Sequence, residues 1–260
     1  MHLIVDGAEI FVATGGRNFD PSLPTIVFLH GAGLDHSVWA LLARSFAHRG
    51  FAVLAPDLPG HGRSAGAALS SVRAIADWTA ALISGAGVRA ARLIGHSMGS
   101  LAALETTARF PDKVTGLALI ATAAPMRVSE ELLNAARTND HAAIDMIAIW
   151  GNGYRATLGG SLTPGLWMLG TAERLLESAP AGVLFNDLSA CNDYRDAFAA
   201  AAQVSVPSVL ILGGHDLMTP AKSGEALAAA IPASHVTVIE GAGHMLMSER
   251  PEEVFAALRT

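Results

Sequence analysis

Along the chain, short apolar runs alternate with longer segments of helical character. The runs are nearly continuous, rich in β-branched and aliphatic residues, and cover residues 25–29, 51–55, 91–94, 116–120, 208–212 and 236–239. Strands have this composition when helices cover both faces of a parallel sheet. The segments between them carry helical spacing or Ala-rich composition at residues 37–48, 70–83, 100–109, 221–230 and 251–258. The alternation predicts an α/β fold of three layers, with a mostly parallel sheet between two layers of helices.

The N-terminal segment departs from this alternation. Residues 2–5 and 8–13 have the composition of two strands, and Asp6-Gly7 lies between them. Asp-Gly tolerates the positive φ angles that a two-residue hairpin turn requires. The chain is therefore predicted to begin with an antiparallel hairpin.

A second departure lies between residues 121 and 206, where no clear strand is visible. Structureless loops of this length are rare in compact domains, so the insertion predicts a helical cap. Its amphipathic segments are residues 130–136, 141–150 and 171–179, and residues 193–203 are predicted to form the helix that returns to the sheet. The predicted domains are a core of residues 1–122 and 193–260 and a cap of residues 123–192.

Composition and charge exclude several classes of partner and site for this chain. The 260 residues are 51% hydrophobic and 15% charged, as in a compact globular chain. A net charge of −6 provides no basic field for a phosphate backbone, so no nucleic-acid partner is expected. The single cysteine, Cys191, excludes a disulfide within the chain and a four-thiolate zinc site. The longest uncharged apolar run, residues 114–124, is shorter than the roughly 20 residues that span a bilayer. With no signal peptide visible, these features predict a cytoplasmic protein without a membrane span.

The segment Gly95-His96-Ser97-Met98-Gly99 directly follows a predicted strand and directly precedes a predicted helix. In this GxSxG form the glycines permit a tight, strained turn that holds the serine hydroxyl clear of the sheet. The amides that begin the next helix favour negative charge beside it. Alternatively, Ser97 only caps that helix. To act as a nucleophile, Ser97 requires a histidine base and an orienting carboxylate.

Both partners occur at the ends of later predicted strands. Asp216 follows the strand at residues 208–212, and His244 follows the strand at residues 236–239. The carboxyl ends of parallel strands meet at one edge of an open sheet, where such folds bind ligands. Thr219 is the better candidate for capping the following helix, which leaves Asp216 free to orient His244. If Asp216 does not orient His244, the remaining candidates for that role are Asp187, Asp193 and Asp196.

A further candidate element is His30-Gly31-Ala32-Gly33, at the end of the strand at residues 25–29. It is either only a Gly-rich turn or a source of backbone N–H groups for an oxyanion that develops during acyl transfer. In the second interpretation the N–H groups of Ala32 and Met98 form the oxyanion hole.

Together these motifs resemble the α/β-hydrolase superfamily, in the form that has a helical cap between the sixth and seventh strands. They occur in the order of the family, as HGAG, DLPGHGRS, GHSMG, GGHD and GAGH. The resemblance covers almost the whole chain and implies the α/β-hydrolase fold with the catalytic residues Ser97, Asp216 and His244. In the family the DLPGHGRS stretch is a structural loop, so Asp57, His61 and Arg63 receive no catalytic role.

The resemblance also narrows the reaction. Haloalkane dehalogenases and epoxide hydrolases of similar fold use an Asp nucleophile, whereas this chain has Ser97. The implied activity is that of a serine carboxylesterase that passes through an acyl-enzyme. The alternative is a lactone or carbon–carbon bond hydrolase on the same residues. A ligand receptor without turnover is the alternative from another class. The chain lacks HExxH, and no GxGxxG follows a strand, so neither a metal nor an organic cofactor is expected.

The expected partner is a small-molecule ester, and the candidate substrate-binding residues are Trp150, Trp167 and Met245. The first two lie in the predicted cap and the third directly follows His244. Aromatic, thioether and aliphatic side chains favour small to medium apolar acyl groups, because an unpaired buried charge costs several kcal/mol. The sequence indicates no oligomeric state.

Overall fold

The computed structural model describes residues 1–160, 165 and 167–259 of the chain. Its strands are β1 (His2–Val5), β2 (Ala8–Ala13), β3 (Thr25–Leu29), β4 (Ala52–Pro56), β5 (Ala91–His96), β6 (Val114–Ile120), β7 (Ser208–Gly213) and β8 (Ser234–Ile239). They form one sheet in the order β1-β2-β4-β3-β5-β6-β7-β8. β1 and β2 form the hairpin, β2 pairs antiparallel with β4, and the remaining neighbours are parallel. The predicted α/β fold with its antiparallel N-terminal hairpin is confirmed.

Helices cover both faces of this sheet. In chain order they are α1 (Ala40–Ala47), α2 (Val72–Gly85), α3 (Met98–Arg109), α4 (Glu130–Arg137), α5 (Ala142–Trp150), α6 (Tyr154–Thr157), α7 (Met168–Glu177), α8 (Val183–Asp193), α9 (Ala197–Ala201), α10 (Ala221–Ala228), α11 (Leu246–Glu249) and α12 (Pro251–Ala257). In the described ranges, none of them has the length and apolarity needed to cross a bilayer.

An apolar layer lies on each face of the sheet, which explains why the strands are continuous hydrophobic runs in the sequence. Val27 and Leu29 of β3 pack into the layer formed with α2, α3, α9 and α10. Ile26 and Phe28 of the same strand pack into the layer formed with α1, α11 and α12. Successive side chains of a strand point to opposite faces, so a strand buried on both sides has no polar position to alternate with.

Helices α4 to α8 belong to the insertion, where α4, α5 and α8 share a small apolar cluster. The structure corrects the predicted helix at residues 193–203, because α8 ends at Asp193 and α9 begins only at Ala197. Tyr194 between them is extended, and its hydroxyl donates to the buried carboxylate of Glu105 on α3 at 2.7 Å. Sequence patterning missed α8 because its buried face includes Asp187.

Candidate active site

Ser97 lies in a sharp turn between β5 and α3, with φ 53° and ψ −119°. Positive φ is uncommon and strained for a residue with a side chain. Close contacts require the flanking glycines, since a Cβ on Gly95 would overlap the carbonyl oxygen of Gly99, and one on Gly99 would overlap that of Leu29. The Ser97 N–H also donates to the carbonyl oxygen of Ile120 at 3.0 Å. The turn is therefore held between neighbouring strands and α3.

The Ser97 hydroxyl does not cap α3. The residue occupies the N-cap position, but its side chain accepts no hydrogen bond from the first turn of the helix. Only 9% of the residue is exposed, and it lines a cavity beneath the insertion. This geometry disfavours the capping interpretation and leaves the hydroxyl available to a ligand in the cavity.

Asp216 and His244 lie on the loops that follow β7 and β8. Nδ1 of His244 is 2.9 Å from Oδ2 of Asp216, and both side chains are buried. Oδ1 of Asp216 accepts hydrogen bonds of 2.8 Å from the backbone amides of Met218 and Thr219, and the Thr219 hydroxyl donates to Oδ2 at 2.6 Å. The expectation that Thr219 caps the next helix is wrong, because α10 starts at Ala221 without a side-chain cap and Thr219 instead holds Asp216.

The pKa of Asp216 lies below its ordinary range. Burial acts to raise it, but the charge and hydrogen bond of His244 and the hydrogen bonds of Thr219 outweigh that effect. Asp216 is therefore ionised at neutral pH. A carboxylate beside Nδ1 keeps a proton on that nitrogen in neutral imidazole, which leaves Nε2 as the basic atom.

Two buried side chains with no role assigned from the sequence support the His244 loop. His96 donates from Nε2 to the carbonyl oxygen of His244 at 3.0 Å, and burial lowers the pKa of His96 to about 3. Glu249 accepts hydrogen bonds of 3.1 Å from the amides of Gly243 and of Gly153 in the insertion. Burial raises the pKa of Glu249. No sequence signal identifies these roles, because each depends on a backbone group that the fold brings near.

Ala32 lines the cavity, and Met98 is the first residue of α3. Among the described residues, neither backbone N–H has a protein acceptor. The carbonyl oxygen of Gly31 accepts from His30 Nδ1 at 2.9 Å and from the Leu34 amide at 3.2 Å. In a trans peptide unit the carbonyl and the next N–H point in opposite directions. These bonds therefore set the direction of the Ala32 N–H.

The cavity above Ser97 has a volume of about 200 Å³ and also includes His244 in its lining. Most of its walls are apolar, with Leu132, Ile147, Trp150, Leu188, Cys191 and Met245 among the lining residues. Arg127, which is exposed, is also a lining residue. The site is thus a compact, mostly apolar space that also contains the side chains proposed for chemistry, Ser97 and His244.

The candidate substrate-binding residues separate in the structure. Trp150 and Met245 line the cavity above Ser97, and Trp167 does not. Trp167 is 67% exposed and precedes α7, with its ring against Gly170. Met245 also borders a second cavity of about 320 Å³, whose lining includes Val38 and Leu41. The sequence could not separate the two tryptophans, because both lie in the insertion among apolar residues.

The alternative acids do not contact His244. Asp187 is buried, and its Oδ2 lies 2.7 Å from Nε2 of His61. Asp193 and Asp196 are exposed. Of the acids considered from the sequence, only Asp216 has a hydrogen bond to the ring of His244.

One group of side chains in the described ranges has a spacing that could suit a metal ion: Asp35, His36 and Asp57. Their atoms already have partners. Asp57 Oδ1 lies 2.6 Å from His36 Nδ1, Asp57 Oδ2 accepts from the Arg63 amide, and Asp35 accepts from the Ser37 amide. His36 is half-buried in this group. We interpret the group as a loop support and assign it no metal.

Comparison with known proteins shows what the whole chain is similar to. Residues 26–258 match the Alpha/beta hydrolase family. A pimeloyl-[acyl-carrier protein] methyl ester esterase from Chromobacterium violaceum is 33% identical over 260 residues, which cover 96% of each chain. The structure of a thermophilic esterase is similar with a TM-score of 0.82 and 27% identity, covering 100% of this chain and 95% of that chain. An enol-lactonase from Burkholderia xenovorans has a TM-score of 0.87 at 24% identity, covers 100% of this chain and 98% of its own, and shows a common fold alone.

Proposed function

The chain belongs to the alpha/beta hydrolase family, and from that premise we propose that it is a serine hydrolase of carboxylic esters with small to medium apolar acyl groups. One observation carries the proposal. The strained Ser97 and the Asp216-bonded His244 come from different strand ends and line the same cavity.

The proposed reaction is a two-step acyl transfer. Ser97 Oγ attacks the ester carbonyl carbon while Nε2 of His244 accepts the hydroxyl proton. The negative charge that collects on the carbonyl oxygen is stabilised by the N–H groups of Ala32 and Met98 and by the N-terminus of α3. The bond to the alcohol then breaks, and the alcohol leaves with the proton from His244. Water attacks the acyl-enzyme by the same route, which releases the acid and restores Ser97.

Asp216 has two functions in this scheme. Its carboxylate orients the His244 ring through the 2.9 Å contact with Nδ1. It also stabilises the imidazolium that forms when Nε2 takes the proton. The hydrogen bonds from Thr219 and Met218 hold the carboxylate in place, so the ring need not reorganise during the reaction.

The cavity and the relatives support the proposed substrate class. Apolar walls favour an acyl chain without an internal charge, because a buried unpaired charge is costly. By its name, the relative from Chromobacterium violaceum acts on a methyl ester of a pimeloyl chain, which supports a medium-length acyl group and a small alcohol. We therefore propose methyl and other short alkyl esters as the first substrates to examine.

The deciding experiment compares wild-type protein with Ser97→Ala on p-nitrophenyl and methyl esters of increasing acyl length. We expect Ser97→Ala to lose at least about 10³-fold in turnover, because the nucleophile is removed. Ser223→Ala, on α10, is the matched control and should hydrolyse esters like the wild type. Retention of more than about a tenth of the activity by Ser97→Ala would refute the nucleophile assignment.

A further inference from the structure

A second buried aspartate–histidine pair lies beside the proposed oxyanion loop, residues 30–34. Oδ2 of Asp187, on α8, is 2.7 Å from Nε2 of His61, on the loop after β4. The side chains are 1% and 2% exposed. The two residues are 126 positions apart in the chain, so the contact joins the insertion to the core.

The hydrogen-bond partners of His61 fit the charged form of the ring. Nδ1 lies 3.0 Å from the carbonyl oxygen of Pro59, which can only accept, and Nε2 lies against the Asp187 carboxylate. Nδ1 therefore donates. Burial acts to lower the pKa of His61, but the hydrogen bond and charge of Asp187 outweigh it and raise that pKa, which favours an imidazolium that donates from Nε2 as well. The other ionisable groups facing His61 are the ring of His30 and the carboxylate of Asp57. Leu58 N donates to Nε2 of His30 and Gly31 O accepts from its Nδ1, so that ring is neutral.

Asp187 also holds the loop that carries Ala32. The same oxygen, Oδ2, accepts the backbone N–H of Gly33 at 2.9 Å. Side chains of Leu176 and Leu184, from α7 and α8, lie close above Gly33. Ala32 is consequently held at both of its peptide units, by His30 through the carbonyl of Gly31 and by Asp187 through the N–H of Gly33.

We propose that Asp187 is a positioning residue that fixes the oxyanion loop to the insertion, and that His61 supplies the positive charge that makes a carboxylate acceptable there. The inference rests on the proposed ester hydrolysis for its kinetic consequence, but not for the structural link. The Asp187 carboxylate binds the amide of Gly33, which directly follows Ala32. Without a counter-ion its negative charge would repel the oxyanion, and the positive charge of the His61 imidazolium compensates it. Without Asp187 the Gly33 amide loses its hydrogen-bond acceptor. Of the two peptide units of Ala32, only the one before it then keeps its hydrogen bond, through the carbonyl of Gly31.

The test uses Asp187→Ala, Asp187→Asn, His61→Gln and the double variant Asp187→Asn/His61→Gln in the full chain. Asp193→Ala, an exposed acid on the same helix, is the matched control. For Asp187→Ala we expect kcat to fall by about 10-fold or more with KM within about two-fold, and affinity for a trifluoromethyl ketone inhibitor to fall by the same factor as kcat/KM. Asp187→Asn keeps an oxygen for Gly33 and should recover part of the loss. His61→Gln leaves the carboxylate uncompensated, so the double variant should be more active than His61→Gln alone.

Amide hydrogen exchange provides a readout that needs no turnover. Peptides covering residues 31–34 should exchange faster in Asp187→Ala than in the wild type and in Asp193→Ala, and Asp187→Asn should lie between. Unchanged exchange would overturn the structural link even if the protein hydrolyses no ester. Faster exchange with unchanged kcat in an active enzyme would overturn the positioning role and leave the proposed function standing. A loss in kcat/KM of Asp187→Ala that came entirely from a higher KM would also overturn the positioning role. If Asp187→Ala does not fold, Asp187→Asn and the double variant decide the outcome.

Discussion

The protein contains two buried aspartate–histidine pairs with nearly the same contact distance, and their histidine rings have different further partners. In one, Asp216 lies 2.9 Å from His244, and in the other Asp187 lies 2.7 Å from His61. The difference is at the second ring nitrogen. In His61 it is bonded to the carbonyl oxygen of Pro59. In His244 it has no hydrogen bond to any residue that the structure describes, and the ring lines the cavity above Ser97.

This comparison shows that a carboxylate beside a histidine does not by itself make a general base. A base needs a free lone pair within reach of the proton it will take. Both ring nitrogens of His61 are bonded to protein acceptors, which leaves no lone pair for a substrate proton and makes the residue a structural link. His244 keeps one nitrogen available. The four residues therefore give matched substitutions, and the comparison predicts different losses for chemically equal changes.

The largest difference is expected between the two histidines. We expect His244→Ala to lower kcat/KM for a p-nitrophenyl ester by about 10⁴-fold or more, because the proton acceptor is removed. His61→Gln should cost far less, since it disturbs only the oxyanion loop. Steady-state kinetics measure both, and circular dichroism verifies that each variant is folded. His235→Ala, an exposed histidine on β8, is the control. Equal losses in folded His244 and His61 variants would remove the distinction between the pairs.

The aspartates give the second contrast. Asp216→Asn should lower kcat by about 10³- to 10⁴-fold, because an amide N–H beside Nδ1 favours the wrong tautomer of His244. Asp187→Asn should lower it by about 10-fold or less. Both substitutions are isosteric, so the two kcat values compare the same chemical change at the two pairs. A small effect of Asp216→Asn would mean that the His244 ring is oriented by another group, and Thr219, whose hydroxyl lies 3.1 Å from Nδ1, would be the one to examine.

The two pairs should also differ in their contribution to stability as the pH changes. Burial acts to lower the pKa of His61, but the hydrogen bond and charge of Asp187 outweigh it and raise the pKa above its ordinary value. The stabilisation from His61 is therefore fully present below about pH 6.5 and is lost as the pH rises through the folded-state pKa. Denaturant unfolding of wild type and His61→Gln, from about pH 5.5 to about pH 9, should show a difference that shrinks with rising pH. The exposed control His235→Gln should show none. A difference that grows with pH would contradict the ionic form of the pair.

The smallest expected effects concern the cavity above Ser97, which is lined by His244 but not by His61 or Asp187. Each methylene that finds room should improve kcat/KM by about four-fold, equivalent to about 0.8 kcal/mol, until the space is full. The acyl-length profile should therefore peak at short or medium chains. Trp150→Ala should move the peak to longer chains, and Trp167→Ala should leave it in place, because only Trp150 lines the cavity. A profile that rises to the longest chain in the wild type would show that the cavity does not bound the acyl group.

Much of this molecule could be predicted from the sequence because the relevant constraints are local. The runs at β3 and β7 are continuous because helices cover both faces of the sheet, and their alternation with helical segments indicates a parallel sheet. Gly95 and Gly99 identify the turn at Ser97, since no Cβ fits between them and the neighbouring backbone. Asp216 and His244 follow strands whose carboxyl ends meet at one edge, so their proximity follows from the strand order of the fold.

Other features depended on contacts that no local pattern records. The sequence determined that Asp187, His61 and Glu249 are present, but only the packing of the insertion on the core decided what they bond to. Asp187 reaches an amide 154 positions away, and Glu249 reaches one 96 positions away. In the same way, Trp150 and Trp167 have equal chemistry, and only tertiary packing placed one in the cavity and the other largely in solvent. The physical reason is that a side chain's reach is only a few ångströms. Its partners are therefore set by which segments the fold brings together and not by its neighbours in the chain.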